Sequence, residues 1–110
     1  MAVTKMIFTR DRTITLQFGL HRPINAADKM YFAIKNDRKS DYYSIEPIEC
    51  VITDADHGLF YVEITNDLTS NLDTSKYYGE LVRLTTAGSY QTLQMYEIDL
   101  RPEIISSRDI

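Results

Sequence analysis

Short stretches of alternating apolar and polar residues, separated by turn residues, limit how this chain can fold more than any other feature. They are clearest in the continuous block from Gly58 to Leu100. Period-two alternation is typical of half-buried β-strands. The block therefore predicts strands at 58–64, 76–84 and 90–100, with one helical turn at 66–72 and a tight turn at 86–89.

The first half of the chain repeats the same alternation. Further strands are predicted at 7–8, from Thr13, from Met30 and at 48–52, which gives about seven in all. Short strands at this spacing favour a sandwich or a barrel, and 110 residues suit a single domain over 1–110. Three strands each present three residues to the predicted core: Ile14, Leu16 and Phe18; Met30, Phe32 and Ile34; Phe60, Val62 and Ile64.

The last strand changes phase along its length. Leu93 and Met95 share one parity, whereas Tyr96, Ile98 and Leu100 share the other. Met95 and Tyr96 would then have to face the same side, which a β-bulge allows. A strand that bends from one sheet to the other is the alternative. Both interpretations favour a sandwich over a flat sheet.

The order of these segments also resembles a known family. The segments concerned are a Gly-led strand at 58–64, Leu68-Thr-Ser-Asn-Leu72, Tyr77-Tyr-Gly-Glu-Leu81, the Ala87-Gly88 turn, and a last strand running into Pro102. In this order they resemble small tail-associated and baseplate proteins of bacteriophages and prophages. The similarity covers the second half well and the whole chain loosely, and the charged stretch 35–47 is longer than the family pattern.

The resemblance implies an all-β, immunoglobulin-like antiparallel sandwich of about seven strands with one short helical turn. It also implies a structural role among other phage subunits, as a homo-oligomer or ring, first in the bacterial cytoplasm and then in the virion.

Charge and hydropathy exclude several classes of partner. The net charge is −4, and the basic residues are scattered, whereas nucleic-acid binding needs clustered Lys and Arg. No apolar run approaches the roughly 20 residues of a membrane helix. The N-terminal residues lack the apolar core of a secretory signal. We expect neither nucleic acid nor membrane as a partner, and a cytoplasmic site of synthesis.

Residues capable of chemistry are few and poorly placed for it. His21 and His57 fall in predicted turns, and Asp54 and Asp56 are better explained as turn formers than as a catalytic pair or part of a calcium loop. Cys50 lies in an apolar strand and is expected to be buried. We predict no catalytic residue, no cofactor and no metal site.

Tyrosine is the unusual component, with 8 Tyr against 4 Phe and no Trp. Strand alternation places three tyrosines on the outward face: Tyr31, Tyr61 and Tyr78. The strand at 76–84 is apolar on both faces, and Val82 lies on the same side as Tyr78. Such a strand is either central and covered or available to a partner. Tyrosine is enriched at interfaces, although it also simply suits pleated surfaces.

The charged connection 35–44 is expected to be a solvated loop whose Tyr42 and Tyr43 could extend a strand or reach a neighbouring subunit. The ends, 1–5 and 103–110, are expected to be loose or held by a partner. The apolar stretch 102–106 could add a strand to the sheet edge of another chain. The candidate interface residues are therefore Tyr31, Tyr61, Tyr78, Val82 and Ile104.

These observations predict a protein that is not an enzyme. The expected function is that of a structural or assembly module acting by protein–protein contacts. The alternative is a carbohydrate- or host-surface-binding module, and an enzyme accessory or inhibitor domain is a third class.

Overall fold

The computed structural model describes residues 3–110, and its regular structure is almost entirely β. Within these residues, eight strands and one short helix follow one another: β1 (Val3–Thr9), β2 (Ile14–Gly19), β3 (Lys29–Lys35), β4 (Ile45–Glu49), β5 (Val51–Asp54), β6 (Leu59–Ile64), α1 (Asn66–Thr69), β7 (Lys76–Leu84) and β8 (Tyr90–Arg101). Single 3-10 turns lie at Ala55–His57 and Ser107–Asp109. No helix in 3–110 has the length and apolar character needed to cross a membrane.

The strands form two sheets. One has five strands in the order β1-β8-β7-β3-β4, and the other has three in the order β2-β6-β5. All neighbouring strands are antiparallel except β1, which pairs with β8 in parallel. The predicted sandwich is confirmed, with one more strand than expected and one parallel pair.

The core lies between the two sheets and contains the predicted inward residues. Those of β3 and β6 are buried, and those of β2 are partly buried against them. The ring centroid of Phe18 on β2 lies 6.1 Å from that of Phe32 on β3 and 6.3 Å from that of Tyr96 on β8. Aromatic rings at such distances attract one another beyond the apolar area they bury, so this cluster joins the sheets.

The single strand predicted at 48–52 is two strands in different sheets. β4 pairs with β3, whereas β5 pairs with β6. Cys50 lies at the crossing, where its amide donates to the Met30 carbonyl at 2.7 Å. It is buried, as predicted, and burial raises the pKa of its thiol to about 12.

The predicted bulge exists in β8, but two to three residues earlier than expected. Leu81 pairs with Gln94 and Val82 with Thr92, so Leu93 is the extra residue. Leu93 consequently packs against the core together with Tyr96, while Met95 faces outward. The prediction that Met95 and Tyr96 share a side was wrong. β8 stays in one sheet throughout.

The predicted turns are confirmed. The helical turn at 66–72 is the short helix α1, with Leu68 and Leu72 packed partly against the core. The turn at 86–89 closes through a hydrogen bond from the Thr85 amide to the Ser89 carbonyl at 2.9 Å. Gly88 has a positive φ of 83° there, which glycine adopts without strain.

Both ends are held by the chain itself, contrary to the prediction of loose or partner-held ends. Residues 3–5 belong to β1, and Met1 and Ala2 lie outside the described residues. At the other end, Arg10 pairs with Glu103 at 2.9 Å, and the Asp11 carboxylate accepts a hydrogen bond from the Ser107 amide at 2.6 Å. The segment 102–106 is not in strand conformation.

Candidate interaction surface

The outer face of the five-stranded sheet carries an open groove of about 540 Å³. Its position follows from β7, the central strand, which turns Tyr77, Gly79 and Leu81 into the core and the residues between them outward. Residues paired across a ladder point to the same face. The register therefore builds the floor of the groove from Tyr31, Ala33, Glu80, Val82, Thr92 and Met95.

The loop between β3 and β4 forms one wall of the groove. The ammonium nitrogen of Lys35 donates to the Ser40 carbonyl at 2.7 Å and lies 4.8 Å from the ring centroid of Tyr43. The guanidinium carbon of Arg38 lies 4.8 Å from the ring centroid of Tyr78. Much of the loop is exposed, as predicted, but these cation–π contacts hold it against the sheet.

The charges around the groove are arranged unevenly. The carboxylate of Glu80 accepts a hydrogen bond from the Thr92 hydroxyl. Glu97 lies next to Tyr78 across the ladder and is bound by Lys76 at 3.1 Å. Hydrogen bonding by Lys76 lowers the pKa of Glu97. Lys35 and Arg38 form no ion pair with any carboxylate in the described part of the chain.

The structure brings together three of the five predicted interface residues. Tyr31, Tyr78 and Val82 line the groove, and each is half-buried. Tyr61 is half-buried on β6, in the other sheet, paired with Gln17 and Val51. Ile104 is 99% exposed in the segment after β8. Tyr61 and Ile104 therefore do not belong to the same surface as the other three.

Sequence reasoning missed other groove residues. A bulge at Met95–Tyr96 predicts Met95 on the core side, and the charged connection 35–44 predicts Arg38 in a solvated loop. Tyr43 is predicted in the same loop, either extending a strand or reaching a neighbouring subunit; it lies in the loop, against Lys35. Tyr90, 72% exposed at the start of β8, also lines the groove. Tyr90 lies on the same face of β8 as Thr92 and pairs with Leu84 of β7. Pairing β7 with β8 would therefore have placed Tyr90 on the groove face.

Asp54 and His57, which the sequence offered as candidates for chemistry, form an ordinary turn. The imidazole Nδ1 of His57 lies 2.7 Å from the Asp54 carboxylate, whose other oxygen caps the 3-10 turn by accepting from the His57 amide. This is the expected geometry of a turn former. No group of three or more His, Cys, Asp or Glu in residues 3–110 is placed to hold a metal ion.

Comparison with known proteins supports the fold alone. The chain matches no protein-family model and no curated protein. Among solved structures it is similar to the NK cell receptor NKp44, a triggering partner in natural cytotoxicity. The TM-score is 0.53 at 14% identity, covering 94% of this chain and all of the receptor chain. The fold is an all-β, immunoglobulin-like sandwich.

Proposed function

We propose that this protein is a non-enzymatic structural module that acts by protein–protein contacts through the groove. The observation that carries the proposal is the half-exposed aromatic and apolar floor on the outer face of the five-stranded sheet, formed by Tyr31, Tyr78, Val82 and Met95. Interfaces are enriched in Tyr, Met and Arg and depleted in other charged residues at their centres. An apolar patch on an otherwise polar sheet face favours a binding role.

The outer face of the three-stranded sheet supports the same choice by contrast. There the outward positions include Thr15, Gln17 and Glu63, all exposed. The apolar residues of this face, half-buried Tyr61 and exposed Val51 and Leu59, do not line the groove of about 540 Å³. The groove brings its apolar residues together in one concave surface, where more apolar area can be removed from water by one partner. The groove face is therefore the better contact surface of the two.

The biological setting we propose is a phage tail or baseplate. This step rests on the sequence resemblance described above. The partners would be other phage structural subunits, arranged with the chain as a homo-oligomer or ring. The protein would occupy the bacterial cytoplasm during assembly and then the virion.

An incorporation experiment tests both the surface and the setting. Virions purified from a host that produces the tagged chain should contain it, and immunogold should label their tails. Val82→Arg places a charge in the groove floor and should abolish incorporation. Gln17→Arg places the same charge on the opposite face and should leave incorporation unchanged. If purified virions lacked the tagged wild-type chain, the proposed phage setting would be refuted. If the Val82→Arg protein were incorporated, the groove would be refuted as the contact surface.

A carbohydrate- or host-surface-binding module is the second candidate. Tyr31, Tyr43, Tyr78 and Tyr90 around one groove could stack on sugar rings, with Glu80 and Thr92 as hydrogen-bonding groups. A glycan array separates the two functions. Specific binding that is lost on Tyr78→Ala supports this candidate, and an array without signal supports assembly.

A further inference from the structure

We propose that the groove binds an acidic segment of a partner protein, with a carboxylate side chain between Lys35 and Arg38 and apolar side chains along the floor. This inference rests on the proposed function, because it specifies the chemistry of the protein–protein contact. It follows from the charges on the wall, the apolar floor, and the position of Glu80.

The wall offers two cations that stack on tyrosine rings and form no ion pair within the described residues, although the charge of Arg38 also contributes to lowering the pKa of Glu97. Arg38 stacks on Tyr78 and Lys35 stacks on Tyr43, which favours these side-chain positions. Lys35 uses one donor on the Ser40 carbonyl, and the Arg38 guanidinium has no hydrogen bond with the described residues. Guanidinium groups bind carboxylates in a bidentate manner. Cations that are already positioned lose little side-chain entropy on binding, which favours association.

The floor next to these cations suits apolar side chains. Tyr31 and Val82 are direct neighbours across the ladder, and Met95 lies one row nearer to the cations. All three are half-buried and line the groove. A volume of about 540 Å³ is within the usual range of ligand-sized sites. It accommodates a few side chains of an extended segment rather than a whole domain.

Glu80 fixes the direction in which such a segment would lie. Its carboxylate is turned towards Thr92, on the side of the floor away from Lys35 and Arg38. It would repel a second carboxylate there. The other nearby carboxylate, Glu97, is already bound by Lys76. Two cations, Lys35 and Arg38, lie in or over the Tyr78 row against one lysine-bound carboxylate, Glu97, so the acidic side chain of a ligand is favoured at this end over the Glu80 end.

A peptide titration followed by NMR tests the inference. The probe is an acetylated, amidated tetrapeptide containing one glutamate followed by two leucines and a tyrosine, compared with the same peptide carrying glutamine. The acidic peptide should shift the backbone amide resonances of β3, β7 and β8, and its Kd should be at least about fivefold lower than that of the glutamine peptide. Equal affinities, or shifts confined to other strands, would overturn the inference.

Three variants test where the carboxylate of the peptide binds. Arg38→Gln should raise the Kd of the acidic peptide about fivefold, whereas Lys39→Gln, a matched change in the same loop outside the groove, should leave it unaltered. Glu80→Gln should lower the Kd by removing the repulsion. Preserved NMR spectra establish that each variant is folded. Equal effects of Arg38→Gln and Lys39→Gln would indicate general charge attraction and reject the site.

Failure of the acidic-segment inference can be distinguished from failure of the proposed assembly function. Virion incorporation without peptide binding would overturn the acidic-segment inference alone. Peptide binding without virion incorporation would overturn the assembly role alone. If free glucuronate shifts the groove amides and the peptide does not, the ligand is a carboxylated sugar and the inference is wrong.

Discussion

Asp11 shows how one buried carboxylate fixes the end of this chain. It lies between β1 and β2 with a backbone φ of 62°, and it is 5% exposed. Its carboxylate accepts hydrogen bonds from the Ser107 amide at 2.6 Å and hydroxyl at 2.9 Å. Its own amide donates to the buried Thr69 hydroxyl at 3.0 Å. One residue thus connects the first turn, α1 and the C-terminal segment.

Asp11→Asn should destabilise the fold in a pH-dependent manner. Hydrogen bonds from Ser107 lower the pKa of Asp11 from 3.8 to about 2. A folded-state pKa below the unfolded value gives stability that is present above about pH 5 and lost as the pH falls towards 2. The difference in urea midpoint between wild type and Asp11→Asn should be constant above about pH 5 and shrink below it.

Asparagine suits the comparison because it tolerates positive φ and keeps the Asp11 shape while removing the charge. Asp41→Asn, which changes an exposed carboxylate in the β3–β4 loop, is the control and should leave the midpoint unchanged at every pH. A constant difference between wild type and Asp11→Asn from pH 6 to pH 2 would contradict the prediction.

At the scale of elements, β7 supports the groove from beneath. Gly79 faces the core between Tyr78 and Glu80, which both line the groove. A Cβ at this position would lie 2.9 Å from Cζ of Phe32 and 3.1 Å from Cδ1 of Ile98. The absence of a side chain at Gly79 therefore lets the Phe32 ring pack under the floor.

Gly79→Ala should consequently lower the free energy of unfolding by about 1–3 kcal/mol, as overpacking of a core does. Urea denaturation measures this. Phe32→Leu removes the ring atom at the nearest contact, so the double variant should lose less stability than the sum of the two single variants. Strict additivity would show that the Phe32 contact does not limit the position.

Alternation in the sequence could predict which face each residue of β3, β6 and β7 presents, because it depends only on neighbouring residues. It could not predict the crossing at Cys50. Residues 48–52 are apolar except for Glu49. The sheet that each half joins depends on distant partners in β3 and β6.

The candidate site was predictable to a similar extent. Parity places Tyr31, Tyr61 and Tyr78 outward, but only the topology shows that Tyr61 belongs to the other sheet. The position of Arg38 over Tyr78 depends on how a ten-residue connection folds back (residues 35–44), and no local pattern encodes this. The functional hypothesis therefore needed the structure to select among outward residues.

At the scale of the whole molecule, two sheets of unequal size depend on one core. The three-stranded sheet contributes Phe60, Val62 and Ile64, all nearly inaccessible to solvent. The ring centroid of Phe60 lies 5.3 Å from that of Phe18, which in turn contacts rings of the five-stranded sheet. Because neither sheet buries its inner face without the other, we expect them to unfold together.

Phe60→Ala tests this dependence. The ring is 2% exposed, so its removal should lower the free energy of unfolding by about 3–5 kcal/mol. Leu59→Ala, on the same strand but 42% exposed, should cost less than about 1 kcal/mol.

Far-ultraviolet circular dichroism and tyrosine fluorescence should give one urea midpoint for each variant, because all but one of the strand tyrosines lie in the five-stranded sheet. If the tyrosine signal kept the wild-type midpoint while the dichroism signal shifted, the larger sheet would be stable by itself. The groove would then not depend on the shared core.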